Sequence, residues 1–283
     1  MRAGINSSKP NIRYRYHLGD ITAVVPARNA ADLLPECLSS IRAAGITHIV
    51  VVDGLSTDDS REIAARYGTT VLSDGGGGLP LARSLGVAAA NTPIVALVDA
   101  DVVFPAKVFA QLLKEFTAGE YVALQAGLLS VSGPGYWGRA LVFHHRTGRS
   151  RWWFGLVATL FERETLMKIG FDADFPSGED IELRWRLENL GLRAGVSRTA
   201  IVEHRFAGDD FSFARDQFLM DGTGLGLMIR KHGWRGARLA LLPLAAAVRG
   251  TVLSLVRGEP QWLLYFASFC WFNYVGMKRG LSQ

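Results

Sequence analysis

Cysteine is nearly missing from this chain. Its two residues, Cys37 and Cys270, lie far apart in apolar contexts. That excludes a disulfide-stapled fold and a thiolate-bound metal, and it fits a reducing compartment. Lysine is scarce as well, since most of the 31 basic residues are arginine. The first twenty residues, MRAGINSSKPNIRYRYHLGD, lack the apolar centre of a signal peptide and read as a polar arm before the first strand. No internal repeat occurs, and the only low-complexity piece is the glycine run 75–78.

The chain has 283 residues, of which 49% are hydrophobic and 20% charged, a balance that suits a globular protein and argues against disorder. Its length fits one large domain or two small ones. The net charge of +5 has two readings, genomic base composition or an affinity for phosphates or an anionic membrane surface.

The first hundred residues alternate between apolar runs and amphipathic ones. ITAVVP, HIVVVD, TTVLS and PIVALVD read as strands; AADLLPECLSSIRAAG, STDDSREIAARYG and LPLARSLGVAAAN read as helices, the first two stopped by Gly45 and Gly68. Continuous apolar strands separated by helices predict a parallel sheet covered on both faces. From Tyr121 the pattern becomes mixed. YVALQAGLLSV reads as a long strand, and a basic, aromatic stretch from Tyr136 to Trp153 follows it. Next come GLVATLFERETLMKIG, SGEDIELRWRLENLG and LRAGVSRTAIVEHRF. The expected division is an arm (1–20), a first half of an α/β domain (21–120), a second half walling the cleft (121–236), and a hydrophobic helical tail (237–283).

Ligands of such sheets bind beyond the carboxyl ends of the strands. Those ends carry Pro26, Ala27, Arg28 and Asn29, then Asp53, the Ser73–Gly78 loop, and Asp99, Ala100 and Asp101. Asp99 and Asp101 suit a hard divalent cation that completes its shell with phosphate oxygens and water; acids also end strands simply as turn residues. Asp53 suits a base or ribose, or a helix cap, although Ser56 or Thr57 is better placed to cap. Arg28 and Arg83 are natural partners for phosphate or base. The glycine run either admits a ligand to the backbone or is a surface loop. Glu179 and Asp180 begin a helix packed through Leu183, Leu187 and Leu190, where they either complement the dipole or supply a general base. His204 ends an apolar strand, as a satisfied polar residue or as a ligand.

The tail holds two apolar runs, one broken by Arg249 and one from Gln261 to Met277. Basic residues flank them, and Trp262, Tyr265, Trp271 and Tyr274 suit an interfacial belt. A span needs about 20 apolar residues, so each run is marginal. The tail is either a hairpin in or on a membrane, approached from the cytoplasmic side, or a pair of core helices.

VVPARNA, VVDGLSTDDS, LARSLGVAAANTPIVALVDADVVFP and GFDADFPSGEDIELRWRL follow one another in this order, and together they resemble family 2 glycosyltransferases of the GT-A fold. The resemblance covers about residues 21–206. It implies a mostly parallel, Rossmann-like sheet flanked by helices and an inverting transfer from a nucleotide sugar. It implies that Pro26, Ala27, Arg28, Asn29, Asp53, Arg83, Asp99 and Ala100 bind the nucleotide sugar. Asp101 and His204 would hold Mg2+ or Mn2+, Asp180 would be the catalytic base, and Glu179 would meet the acceptor. Two positions depart from the family pattern: Gly54 replaces a second acid, and Ser84 replaces an asparagine. The absence of a Q-x-x-R-W motif disfavours a processive synthase.

These features predict a metal-dependent hexosyltransferase at the cytoplasmic face of a membrane. Its acceptor is expected to be a hydroxyl on a lipid-linked glycan or polyprenyl-linked intermediate of cell-envelope or exopolysaccharide synthesis. No nucleic-acid partner is expected. The rivals are a sugar-phosphate nucleotidyltransferase, whose glycine-rich loop after the first strand is replaced here by PARNA, and a membrane-bound scaffold with a dead transferase domain.

Overall fold

The computed structural model describes residues 16–148 and 153–283. Most of the expected N-terminal arm, and residues 149–152 of the basic aromatic stretch, lie outside them. β1 (Ile21–Ala27), α1 (Leu34–Ala43), β2 (His48–Asp53), α2 (Ser60–Arg66), β3 (Thr70–Ser73), α3 (Leu79–Ala89) and β4 (Ile94–Val98) alternate along the first hundred residues. The four strands pair in parallel in the order β3-β2-β1-β4. Every residue of β1 is buried, because helices cover both sheet faces and leave no solvent side for a polar residue to occupy.

Two helices start later than their sequence pattern predicts. The backbone at Asn29 is left-handed, with φ 49°, and α1 begins only at Leu34. Ser56 and Ser60 do not cap α2, and Asp58 is shared, its Oδ1 accepting from Ser60 N at the start of α2 at 3.1 Å. Ser56 Oγ and Ser60 Oγ accept from the backbone N–H groups of Asn29 and Ala30 at 2.9 and 2.8 Å, and Asp58 accepts from Ala31 at 3.0 Å. Side chains suited to a helix cap instead brace the loop after β1.

The chain continues through β5 (Val102–Val103), α4 (Val108–Ala118), β6 (Ala123–Val131), α5 (Tyr136–Thr147), β7 (Ala158–Glu162), α6 (Arg163–Ile169), α7 (Glu179–Asn189) and β8 (Ala194–Arg205). Among the described residues the sheet has eight strands in the order β3-β2-β1-β4-β7-β6-β8-β5. β7 runs antiparallel between β4 and β6, and β8 returns parallel to β6. The short β5 pairs antiparallel with β8 in the register Val102↔His204. That single pairing brings the segment after β4 beside a residue distant in sequence.

Four helices follow: α8 (Phe211–His232), α9 (Trp234–Ala237), α10 (Leu242–Val256) and α11 (Leu263–Ser282). α8 and α11 touch backbone to backbone through glycines. A Cβ on Gly276 would come 2.2 Å from Leu219 O, and one on Gly222 would come 2.1 Å from Asn273 O. Trp262 and Tyr265, expected at a membrane interface, are buried with α5 and α8 residues in an aromatic cluster; Trp271 and Tyr274 remain exposed. Leu190, expected on the packed face of α7, lies just past the helix end and is exposed.

Candidate active site

The carboxyl ends of β1, β2 and β3 open into a cavity of about 200 Å³ lined in part by Pro26, Ala27, Arg28, Asp74, Gly76 and Gly78. The glycine run therefore lies at a pocket. It is ordered by Asp74, whose Oδ1 accepts from Gly76 N at 2.7 Å. Gly54 stands close to Arg28, where an added Cβ would come 3.2 Å from the arginine Cβ. Glycine at this departure from the family pattern leaves Arg28 its place on the pocket wall. Asp53 ends β2 with 1% exposure, accepts from Ser56 N at 3.2 Å and has Arg61 Nε 3.9 Å away. Asn29 Oδ1 accepts from Thr57 N at 2.9 Å, which ties the first two strand-end loops together.

Arg83 is placed differently from the expectation of a side chain facing a ligand. It is 2% exposed on α3, and its guanidinium donates to Asp99 Oδ1 at 2.9 Å and to Glu179. α3 can approach β1 this closely because Gly86 faces Val24; a Cβ there would come 2.2 Å from Val24 Cγ1. Burial alone would lower the Arg83 pKa, but the carboxylates of Asp99 and Glu179 more than offset it and raise it. Burial also raises the pKa of Asp99, which the Arg83 charge opposes and the neighbouring Asp101 reinforces. Arg83 is thus a strut that joins the end of β4 to the start of α7.

Asp101 and His204 meet across the β5–β8 pairing, with His204 Nε2 3.3 Å from Asp101 Oδ2. Burial works against a charge on His204, yet Asp101 and then Asp99 hold its pKa above the ordinary value. Asp101 Oδ1 and His204 Nδ1 are buried with no hydrogen-bond partner, an unusual state for buried polar atoms. A carboxylate and an imidazole fit Mn2+ better than Mg2+, with phosphate oxygens and water to complete the shell. No group of three or more protein ligands exists among the described residues, so such an ion would depend on its substrate for the rest of its coordination.

Across the cleft, α7 is preceded by Gly178, whose left-handed φ of 76° favours glycine. Asp180 Oδ1 accepts from Ile181 N at 2.8 Å. Burial, followed by the nearby charge of Glu179, raises the Asp180 pKa to about 7. A carboxyl whose pKa is raised towards neutrality by its surroundings is suited to general-base work. Gly155 lies against it: a Cβ there would come 3.3 Å from Asp180 Oδ2 and 3.1 Å from Gln125 Oε1. Gln125 fixes that segment by accepting from Gly155 N and donating to Trp153 O, each at 2.8 Å.

The structure thus brings Asp99, Ala100, Asp101 and His204 together on one side of the cleft and Glu179 and Asp180 on the other, with Arg83 between. Pro26, Ala27 and Arg28 line the adjoining cavity, while Asn29 and Asp53 brace its loops. Sequence reasoning passed over Gln125 and Gly155. Gln125 is a polar residue with no exposure in the middle of β6, and a lone amide inside an apolar strand was the available signal.

Comparison with known proteins places these features in context. The family model described as "Glycosyl transferase family 2" matches residues 22–175. An uncharacterized glycosyltransferase of Mycobacterium tuberculosis is 39% identical over 99 residues, covering 35% of this chain and 44% of the relative. The match thus spans less than half the length of that relative. A mannosyltransferase from Pyrobaculum calidifontis in complex with GDP-Man and Mn2+ superposes with a TM-score of 0.65 at 20% identity, over 95% of this chain and 88% of the other. Glucosyl-3-phosphoglycerate synthase from Mycobacterium tuberculosis, solved with Mn2+, UDP and glucosyl-3-phosphoglycerate, superposes with a TM-score of 0.51 at 19% identity, over 74% and 78% of the two chains. These likenesses establish the GT-A fold.

Proposed function

The chain belongs to glycosyl transferase family 2 and is a glycosyltransferase, and we propose that it moves a hexose from a nucleoside-diphosphate sugar to an acceptor hydroxyl with inversion at the anomeric carbon. The observation that carries this reading is the strut of Arg83, which holds Asp99, next to the Asp101–His204 pair, at a fixed distance from Glu179, next to Asp180. Residues 21–120 form the donor half, and 121–236 the acceptor half. The GDP-Man and UDP of the related structures support the donor class.

Each group then has a task. The cavity beside Arg28 takes the nucleotide. A divalent ion held by Asp101 and His204 would, when bound, offset the charge that develops on the leaving diphosphate. Asp180 accepts the proton of the acceptor hydroxyl as its oxygen bonds to the anomeric carbon. The bond from that carbon to the diphosphate oxygen breaks on the opposite face, and its electron pair leaves with the nucleoside diphosphate. Incubation with UDP- or GDP-hexose, Mn2+ and a hydroxyl acceptor should release nucleoside diphosphate and give a product of inverted anomeric configuration by NMR. Release of pyrophosphate from a nucleoside triphosphate and a sugar phosphate would favour a nucleotidyltransferase instead. Failure to bind any nucleoside diphosphate would favour the scaffold.

The tail supports a membrane-bound acceptor. One helical segment among the described residues, Trp234–Val256, is long and apolar enough to cross a membrane. Arg249, which breaks this run in sequence, turns back to donate to Thr147 O on α5. The outward face of α10 is left apolar, with Leu244, Val248, Val252 and Leu255 each about half exposed or more. Between α10 and α11 an apolar groove of about 410 Å³ is lined by Val248, Val252, Leu263, Phe266 and Ala267, among others. An exposed apolar face of this kind marks an interaction surface. In our reading, 237–283 lies on the cytoplasmic face of the cell membrane and presents a lipid-linked glycan to the cleft. The double variant Val248→Asp and Val252→Asp should lose cosedimentation with anionic vesicles while turnover of a soluble acceptor stays within about twofold. Unchanged cosedimentation would contradict the surface assignment.

A further inference from the structure

The cavity beside Arg28 holds a carboxylate that the mechanism above leaves unused. Asp74 follows β3, lines the cavity and is 7% exposed. Its Oδ1 accepts from Gly76 N at 2.7 Å, which pins the side chain. Its Oδ2 makes no hydrogen bond among the described residues and is still reached by solvent, unlike the sealed Asp101 Oδ1. A carboxylate so deeply buried, with one oxygen open to a cavity, calls for a donor on whatever enters. Arg28 lines the same cavity, is exposed, and makes no hydrogen bond or ion pair among the described residues. Two opposite charges therefore share one pocket without pairing with each other. Asp53, the other acid at this edge, does not line it. Pro26, Val52, Leu79 and Ala82 give the pocket apolar walls. An apolar slot with one acceptor and one donor suits a planar heteroaromatic ring. Leu55 stands at its rim, following Gly54 and lying beside Gly76, where an added Cβ would come 3.0 Å from Leu55 Cδ1. The Leu55 backbone is left-handed, with φ 60°, and its side chain is 52% exposed. Strain of that kind concentrates at ligand sites, and this leucine offers an apolar contact to a ring in the slot.

We propose that Asp74 and Arg28 read guanine, so that the donor is a guanosine-diphosphate sugar. This deepens the transferase reading above and rests on it. Guanine alone among the common bases carries two neighbouring acceptors, O6 and N7, beside two neighbouring donors, N1–H and the 2-amino group. A guanidinium donates to the first two. A carboxylate accepts from the second two, and Asp74 has lone pairs to spare after its bond to Gly76 N. Uracil offers one N–H between two carbonyl oxygens, so a carbonyl would lie against the carboxylate. Adenine has a bare ring nitrogen where guanine has N1–H, and it would meet the same carboxylate. The diphosphate cannot take this place, because Asp74 would repel it. β3 lies three strands from β4 in the sheet, about 14 Å at the usual spacing. That leaves room for ribose and diphosphate between the slot and the Asp101–His204 pair.

The test titrates GDP, UDP, ADP and inosine diphosphate, which lacks the 2-amino group, into the full chain with Mn2+ by calorimetry. GDP should bind about tenfold or more tightly than UDP and ADP, the discrimination of a bidentate pair. It should bind about tenfold more tightly than inosine diphosphate, which lacks one of the donors to a charged acceptor. Asp74→Asn keeps an oxygen for Gly76 N but puts an amide N–H2 in place of Oδ2. It should bring GDP and inosine diphosphate within about twofold of each other, since neither amine nor ring N–H then finds an acceptor. A purely structural role would not move that ratio. Arg28→Met should weaken both nucleotides alike, by about tenfold, because both carry O6 and N7. Should Asp74→Asn fail to fold, the ratios of the unaltered protein and the Arg28→Met loss decide. UDP, ADP or inosine diphosphate bound as tightly as GDP, a ratio that a folded Asp74→Asn leaves unchanged, or an Arg28→Met protein that binds GDP like its parent would each overturn the proposal and leave the transferase reading standing. Binding of no nucleoside diphosphate by the unaltered protein would instead remove that reading itself, and this inference with it.

Discussion

Replacing Asp180 with asparagine is expected to lower sugar transfer by about 10²–10⁴-fold, the contribution of a positioned general base, while nucleoside diphosphate binding stays intact. Asparagine keeps the shape of the side chain and, through its carbonyl oxygen, the acceptor for Ile181 N. The neutral amide is too weak a base to take the hydroxyl proton. The pH dependence supplies a second reading of the same residue. With the Asp180 pKa raised to about 7 by burial and by Glu179, activity of the unaltered enzyme should fall as the pH drops below about 7, because the base becomes protonated. Stability moves the other way. The unfolded chain ionises this carboxyl near its ordinary value of 3.8, and the folded chain only near 7. Folding therefore holds a proton between those values and weakens as the pH rises through them. Asparagine removes that penalty, so the variant should melt no lower than the parent at pH 8. Full activity in a well-folded variant would exclude Asp180 as the base.

Arg83→Met is expected to destabilise the protein by about 3–5 kcal/mol, the usual cost of removing one partner from a buried ion pair. Methionine replaces much of the apolar stem, so the loss is mainly electrostatic. Glu179 would be left 8% exposed and Asp99 partly buried, both without their cation. Arg83→Lys should recover only part of the loss, because an ammonium does not reproduce the planar fork that reaches both carboxylates. Urea unfolding of the three proteins measures the series. A change below about 1 kcal/mol for Arg83→Met would show that the strut does not hold the two halves of the site together.

Much of the donor half is legible in the sequence. Continuous apolar strands and their intervening helices determine a parallel sheet, and the sheet collects Arg28, Asp53, Asp99 and Asp101 at one edge without any further information. The role of Arg83 is less accessible. Its charge is visible in the sequence but its burial is not, and burial turns a ligand-seeking cation into a structural one. The pairing of Asp101 with His204 rests on β5, a strand of two residues, too short for any periodicity to announce. The start of α2 is hidden for a different reason: Ser56 and Ser60 carry cap-forming oxygens that the loop after β1 takes instead. In the tail, the inward turn of Arg249 restores an apolar face that the linear sequence presents as broken.

The central claim is that side chains from β4 and β8, joined through β5, grip a diphosphate with a divalent ion. Calorimetric titration of UDP and GDP into the unaltered protein and into Asp101→Ala, each with Mn2+ and with EDTA, tests it most directly. The account predicts binding of at least one nucleotide that requires Mn2+ and falls at least tenfold in the variant. Equal affinity in EDTA, or an Asp101→Ala protein that binds as tightly as its parent, would contradict it.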